Sequence, residues 1–349
     1  MYLTRPNSLK PQRGMSLIEI MVGLVIGLIG ILIIFQTVSS WGRRTATTTS
    51  GSDAQSAGAI GMYYLERDIK QAGWGFGLAP LANTGCMVNA TQTFRLAPVE
   101  IVQGAAGAPD TVRVLYGNSA SFTGLSTFLT PNALMPLVIS SNQQPGFSVN
   151  DRAVLANGVN CVLVTVTAST SLNLTLVYPP SFATPISSGN LYNLGPAPVR
   201  TVWQINGGNA LAWSDTITNT APADVADGVI DLQAEYGVDS DTNNRITDGS
   251  GGTPNEWQTA DPTDWTKIRA VRVAFLVRSK QFQKTATNAS EQSWSAPQPT
   301  WAGGNFVMAN VDGTPDSNVA GSSNNWRNYR YEVFEKVIPL RNMIWGTSP

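Results

Sequence analysis

The side chains most often used for proton transfer and metal binding are scarce in this sequence. Among 349 residues there is no histidine, which excludes Ser-His-Asp and Cys-His catalysis and the usual zinc sites. Carboxylates, lysines and two cysteines are left. One oxygen-rich stretch reads Asp239-Ser240-Asp241-Thr242-Asn243-Asn244-Arg245-Ile246-Thr247-Asp248. Asp239, Asp241 and Asn243 alternate like the opening ligands of an EF-hand-type calcium loop, and Asp248 adds a further oxygen donor. Asn244 stands where that loop has glycine, and asparagine tolerates a left-handed turn. Ser250 occupies the twelfth position, where the loop has a glutamate. The stretch is a candidate Ca2+ site or a solvated acidic turn, and no other cofactor is implied.

Cys86 and Cys161 allow one pairing. In an oxidising compartment they would form a disulfide, and the alternative is two buried thiols. Closing a loop of that length would stabilise the fold by roughly 4 kcal/mol on the chain-entropy model. The remaining chemical group is Glu19, the single charge in the 24 residues from Met15 to Val38.

These groups need elements to position them. A helix over Met15–Val38 would rise about 36 Å, enough for a hydrocarbon core of about 30 Å. Residues 1–14 hold Arg5, Lys10 and Arg13 and no acid, which places the N-terminus on the cytoplasmic side. The apolar run is too long for a secretory signal, and no small-x-small cleavage site closes it. A plain single-span anchor leaves Glu19 unexplained, because a carboxylate near the start of a lipid-facing segment is costly unless it has a partner. Gly23 and Gly27 permit close helix approach.

Past the membrane, residues 39–52 are Thr/Ser-rich and read as weak helix. A second helical stretch runs from Asp53, a plausible N-cap, to about Gly73. Ala57, Ile60, Tyr64, Leu65, Asp68, Ile69 and Ala72 give it a mixed apolar face, and Glu66 and Lys70 form an i,i+4 pair. The remainder reads as strands: Thr111–Tyr116, Ala153–Leu155, Cys161–Thr167, Leu172–Tyr178, Arg200–Ile205, Ala210–Trp213, Ile230–Tyr236, Ile268–Val277 and Tyr329–Leu340. Asn206-Gly207-Gly208-Asn209 is a hairpin turn. Ile268, Val271, Val273, Phe275 and Val277 mostly alternate, as in a half-buried strand. Long loops are expected over 179–198, 283–304 and 310–325. Charged residues make up 13% and the net charge is −1, so nothing electrostatic points to nucleic acid.

The stretch Arg13-Gly14-Met15-Ser16-Leu17-Ile18-Glu19 resembles the class III signal of type IV pilins and type II secretion pseudopilins. Most members carry Phe where this chain has Met15. The resemblance implies cleavage by a prepilin peptidase between Gly14 and Met15, N-methylation of Met15, and docking of Glu19 against the N-terminal amine of a neighbouring subunit. Leu65 to Gly73 resembles the end of the long helix in PilW-type minor pilins and J-type pseudopilins, and two further stretches are similar to PilW-like minor pilins: Val229 to Asp239 with Trp265 to Val273, and Tyr329-Arg330-Tyr331 with Leu340-Arg341-Asn342.

The class this implies is α+β: a long N-terminal hydrophobic helix with a large antiparallel β-rich head. Residues 1–14 form the leader, 15–38 the transmembrane or filament-core helix, 39–73 its continuation and 74–349 the head. The implied location is the inner membrane in a single pass, with a periplasmic head, and then the pilus at the cell surface. The implied partners are the prepilin peptidase, other minor pilins, the major pilin and the assembly platform. The implied role is to initiate or assemble a type IV pilus, in a tip or priming complex and without enzymatic activity. The alternatives are a J-type pseudopilin of type II secretion and a ligand-binding tip adhesin.

Overall fold

The computed structural model describes residues 14, 16–77, 81–120, 126–129, 137–140, 146–170, 173–180, 182, 186, 188–280, 296–308 and 325–345. One helix, Leu17–Gln71, runs for 55 residues without a break. Asp53 therefore sits in a helix interior and not at an N-cap, correcting the sequence expectation. The Thr/Ser-rich stretch before it lacks proline, and its propensity cost per residue is small; a helix already nucleated propagates through such residues. The helix stops at Gly73, whose φ of +81° is the left-handed value that ends helices.

The chain divides into two compact units, residues 1–50 and 51–349. In the first, Leu17–Ser39 has a mean hydropathy of 2.9 and is long and apolar enough to cross a membrane. Its large apolar side chains, from Leu17 to Phe35, are exposed.

In the second unit the helix residues from Gly51 onward are packed into a core. Ala54, Met62, Leu65, Ile69 and Ala72 recur at helical spacing and are buried. They meet Leu211 and Ala226 from one sheet and Val271, Phe275 and Ile338 from another. Gly58 is required by close approach, since a β-carbon there would lie 2.1 Å from the Phe334 ring. Glu66 pairs with Lys70 at 2.6 Å, as the i,i+4 spacing predicts, and also with Lys336 at 2.7 Å.

Two sheets pack in this core. The five-stranded one runs Ala223–Asp227, Ala210–Asp215, Val199–Ile205, Thr111–Tyr116, Val99–Val102 in spatial order. Its central hairpin turns at the expected Asn206–Asn209. The Asn206 Oδ1 accepts from the Gly208 and Ala210 N–H groups at 2.9 and 3.0 Å, and Asn209 takes φ +57°. The four-stranded sheet runs Trp257–Gln258, Val229–Val238, Ile268–Arg278, Tyr331–Pro339.

Ile268–Arg278 is buried on both faces and not on one. Ala274 and Leu276 face a second cluster with Phe306, Met308 and Trp326. The arginines that read as solvent-facing are covered as well. Arg272 lies 4.7 Å from the Trp257 ring centroid and 5.2 Å from that of Trp301, and it pairs with Glu235. Alternation failed as a guide here because aromatic rings desolvate the guanidinium and a carboxylate neutralises it.

A third sheet holds eight strands in the order Thr93–Leu96, Leu81–Met87, Cys161–Ser169, Arg152–Ala156, Ser188–Gly195, Ser126–Leu129, Leu137–Ser140, Asn173–Val177. Asn173–Val177 also pairs with Cys161–Ser169, so the pairings close into a ring. Leu155, Val162, Val164, Leu174, Leu176 and Leu191 fill a core of their own. Ser188–Gly195 falls within the loop expected over 179–198. Its Ser-Gly-Asn start hides a strand whose residues from Leu191 to Gly195 are all buried. The expected loops 283–304 and 310–325 lie mostly outside the described residues; Thr300–Trp301 and Gly304–Asn305 form a small ladder.

Candidate functional site

The helix begins just after the predicted cleavage point. Gly14 and Ser16 are exposed, and the Ser16 carbonyl accepts from the N–H groups of Glu19 and Ile20 at 2.9 and 3.3 Å. Glu19 thus lies in the first helical turn, where the macrodipole favours an anion. Met15 and residues 1–13 lie outside the described residues. What the first turn offers chemically is one exposed carboxylate at the start of an apolar helix.

The far end of the helix is tied down by residues from the other end of the chain. The Asn342 Nδ2 donates to the carbonyls of Gln71 and Ala72 at 3.1 and 3.0 Å, satisfying acceptors that a helix C-terminus leaves open. One turn earlier Asp68 is fully buried. Its Oδ2 accepts from the Trp203 Nε1 at 3.0 Å, in the five-stranded sheet. Burial raises the Asp68 pKa, while the Trp203 hydrogen bond and the Arg67 charge oppose the rise. Sequence reasoning placed Asp68 on the packed face but gave it no partner, because Trp203 lies 135 residues away.

Cys86 and Cys161 are joined in a disulfide. They are register partners where Leu81–Met87 lies parallel to Cys161–Ser169, a parallel pairing in an otherwise antiparallel head. Both are buried beside Phe94, Leu163 and Tyr192.

The acidic turn follows the Val229–Val238 strand. Asp239 is 1% exposed; its Oδ2 accepts from the Asn244 N–H at 3.0 Å and faces the Arg269 Nε at 3.6 Å. Asp241 is exposed and accepts from the Asn243 N–H and Nδ2. The Asn243 Oδ1 is engaged by the Arg245 N–H at 2.7 Å. Asp248 stands apart, accepting from the Ser250 N–H at 3.0 Å in an exposed turn bridged to Asn255. Of the four candidate ligands only Asp239 and Asp241 belong to a shared carboxylate cluster, and its third member is Glu256. No spacing rule reached Glu256, since strand pairing brings it there: the Val238 N–H donates to its carbonyl at 3.0 Å.

Asp110 and Asp231 are buried as well, with no ion-pair partner among the described residues. Asp110 accepts from the Gly104 and Ala234 N–H groups, each at 2.8 Å. Asp231 accepts from the Gln233 Nε2 at 2.9 Å, and its Oδ2 has no hydrogen-bond partner. Burial raises both pKa values to about 6; nearby Glu235 adds to the effect at Asp110, and Asp110 adds to it at Asp231. The folded chain therefore holds more protons than the unfolded chain between the ordinary carboxylate range and pH 6. Stability from these two groups is full below that range and is lost as pH rises through 6. The depressed carboxylates, among them Glu66 and Asp264, act in the opposite sense only below about pH 4.5. Melting temperatures are thus expected to fall from pH 5 to pH 7.5. Asp231→Asn should remove a loss on the order of 2 kcal/mol at pH 7.5 and flatten the profile. An unchanged profile in that variant would show that Asp231 is ionised without penalty.

An apolar stretch of membrane length with Glu19 near its start, and a separate head of antiparallel sheets, resemble the parts of a type IV pilin-like subunit. The chain is similar to PilW-like type IV pilins: residues 205–342 match the family Type IV Pilus-assembly protein W, and residues 9–35 match the prokaryotic N-terminal methylation motif. The first match takes in the four-stranded sheet, the acidic turn and Asn342; the second takes in Gly14, Met15 and Glu19. The disulfide and the eight-stranded sheet lie in neither. Among solved structures, a type IV-like pilin from Thermus thermophilus is similar at 12% identity and a TM-score of 0.31, over 84% of this chain and 97% of that one. No curated protein matches the sequence.

Proposed function

We propose that this chain is a minor pilin that initiates or assembles a type IV pilus from a tip or priming complex, and that its role is structural. A prepilin peptidase removes residues 1–14 by cutting between Gly14 and Met15, and the new amine of Met15 is methylated. Residues 15–38 then hold the chain in the inner membrane, residues 39–73 continue the helix, and the head from residue 74 faces the periplasm until the subunit enters the filament among other minor pilins and the major pilin. The observation that carries this reading is Glu19, the one charge in the apolar run from Met15 to Val38, which falls inside the methylation-motif match. A carboxylate–ammonium pair in a low-dielectric helix bundle is favourable only when its geometry is right, so Glu19 against a neighbour's amine checks the register of docking.

The test is the intact mass of the membrane-extracted chain with and without a co-expressed prepilin peptidase. The native chain should lose residues 1–14 and gain a methyl group only with the enzyme, and Gly14→Asp should stay uncut. Glu19→Ala should be cut normally yet enter sheared filaments at least tenfold less. An uncut native chain, or a Glu19→Ala chain that assembles as well as the native one, would overturn the proposal.

A second reading, that the head also recognises a ligand at the tip, is favoured by the position of the eight-stranded sheet outside the PilW match. A J-type pseudopilin of type II secretion shares the same helix chemistry. It is separated by which system fails when the gene is deleted.

A further inference from the structure

We infer that the turn after the Val229–Val238 strand is a calcium site held by Asp239, Asp241 and Glu256, and not by the run of oxygens that ends at Asp248. One carboxylate oxygen from each of the three lies within 4.8 Å of the others. Oxygens on opposite sides of a Ca2+ ion, at bond lengths of 2.3–2.6 Å, sit about 5 Å apart, so this spacing suits three ligands around one ion.

The observation that points to a ligand is the state of Asp239. Its side chain is 1% exposed and its Oδ1 accepts no hydrogen bond. The Oδ2 is occupied by the Asn244 N–H and faces Arg269. A buried carboxylate oxygen with open lone pairs is costly, and a hard cation is the partner that satisfies it. Charge agrees. Among the described residues the cluster's ion-pair partner is Arg269, one guanidinium against three carboxylates, so a divalent cation balances the turn.

Glu256 is pre-positioned by its neighbours. Its Oε1 accepts from the Ser240 N–H and Oγ at 2.8 and 3.0 Å, and its Oε2 from the Thr247 N–H and Oγ1 at 3.0 and 3.2 Å. Two of these donors are hydroxyls, which rotate and free lone pairs for an ion while the two N–H groups keep the carboxylate in place. An all-oxygen set with no imidazole or thiolate selects Ca2+ over transition metals. Its make-up from a residue just past a strand, an exposed turn and a residue just before a second strand suits the flexible coordination of Ca2+ better than the strict octahedron of Mg2+.

The experiment uses the full chain in detergent, stripped with chelator and titrated with CaCl2 by calorimetry, with melting temperature followed in parallel. The expected result is one saturable site with a Kd on the order of 10⁻⁴–10⁻³ M, as in extracellular modules, and a higher melting temperature in excess calcium. Asp241→Asn, at an exposed position, should weaken binding about tenfold or more while leaving the calcium-free melting temperature unchanged. The absence of any calcium-dependent heat or stabilisation would overturn the site. Unchanged affinity in Asp241→Asn would place the bound ion elsewhere and overturn it equally. A response to MgCl2 as strong as that to CaCl2 would overturn the choice of calcium.

Discussion

Replacing both cysteines, Cys86→Ala with Cys161→Ala, is expected to destabilise the head by about 4 kcal/mol. The bond closes a loop with a sequence separation of 75 residues. On the chain-entropy model a cross-link of that span removes about 4 kcal/mol of disorder from the unfolded chain. The native state adds a local reason. The pairing that carries the bond is short, with Cys86 opposite Cys161 and Met87 opposite Val162. So few ladder contacts hold the paired strands Leu81–Met87 and Thr93–Leu96 weakly to the rest of the sheet once the covalent tie is gone. The eight-stranded sheet should loosen first, before the core around the helix, because its interior cluster is separate. Urea unfolding of the detergent-solubilised chain, read by tryptophan fluorescence and by hydrogen exchange, checks both points. A double variant within 1 kcal/mol of the native chain would show that the unfolded ensemble is already compact over this loop.

Trp203→Ala is expected to cost about 5 kcal/mol, enough to unfold a head of ordinary stability. Trp203 is 1% exposed and fills the space between the helix and the five-stranded sheet. Truncating a buried indole alone costs about 3–5 kcal/mol. Here it also strips the carboxylate of fully buried Asp68 of its Nε1 donor. Trp203→Phe separates the two contributions. It keeps most of the apolar volume and should still lose about 2 kcal/mol, the penalty of a buried carboxylate short of a hydrogen bond. That loss should shrink at low pH, because Asp68, whose pKa burial already raises, then folds in protonated. Equal stability of Trp203→Phe and the native chain at pH 7 would mean that Arg67, Thr201 and Tyr116 satisfy Asp68 without the indole.

Much of this architecture was legible in single segments. The Leu17–Ser39 span follows from a run of apolar residues long enough for a bilayer, a property that needs no tertiary context. Thr111–Tyr116 forms a strand with the bounds its pattern gives. The hairpin around Asn206–Asn209 was legible because asparagine and glycine state their turn locally. Where reading failed, the deciding force came from elsewhere in the chain. Asp53 looked like a cap because serine, threonine and aspartate favour helix starts, yet nothing in the preceding residues forbids helix. Arg272 lies on the face that alternation leaves to solvent, yet it is covered by two indoles carried on the short strands Trp257–Gln258 and Thr300–Trp301. Ser188–Gly195 was hidden by the turn-forming residues at its start, and pairing on both sides makes it a strand.

The sequence by itself determined the elements whose physics is local or compositional: the helix that can enter a membrane, the carboxylate placed one turn into it, the turn residues, and two cysteines able to pair. It also bounded the chemistry, since a chain without histidine has no imidazole for its sites. Only the tertiary structure decided which groups meet. It set Cys86 in register with Cys161, Asn342 on the last carbonyls of the helix, Trp203 on Asp68, and Glu256 beside Asp239 and Asp241. Each of those meetings joins residues that no local period relates. Strand register and core packing fix them, through contacts that are made only when the whole head has folded.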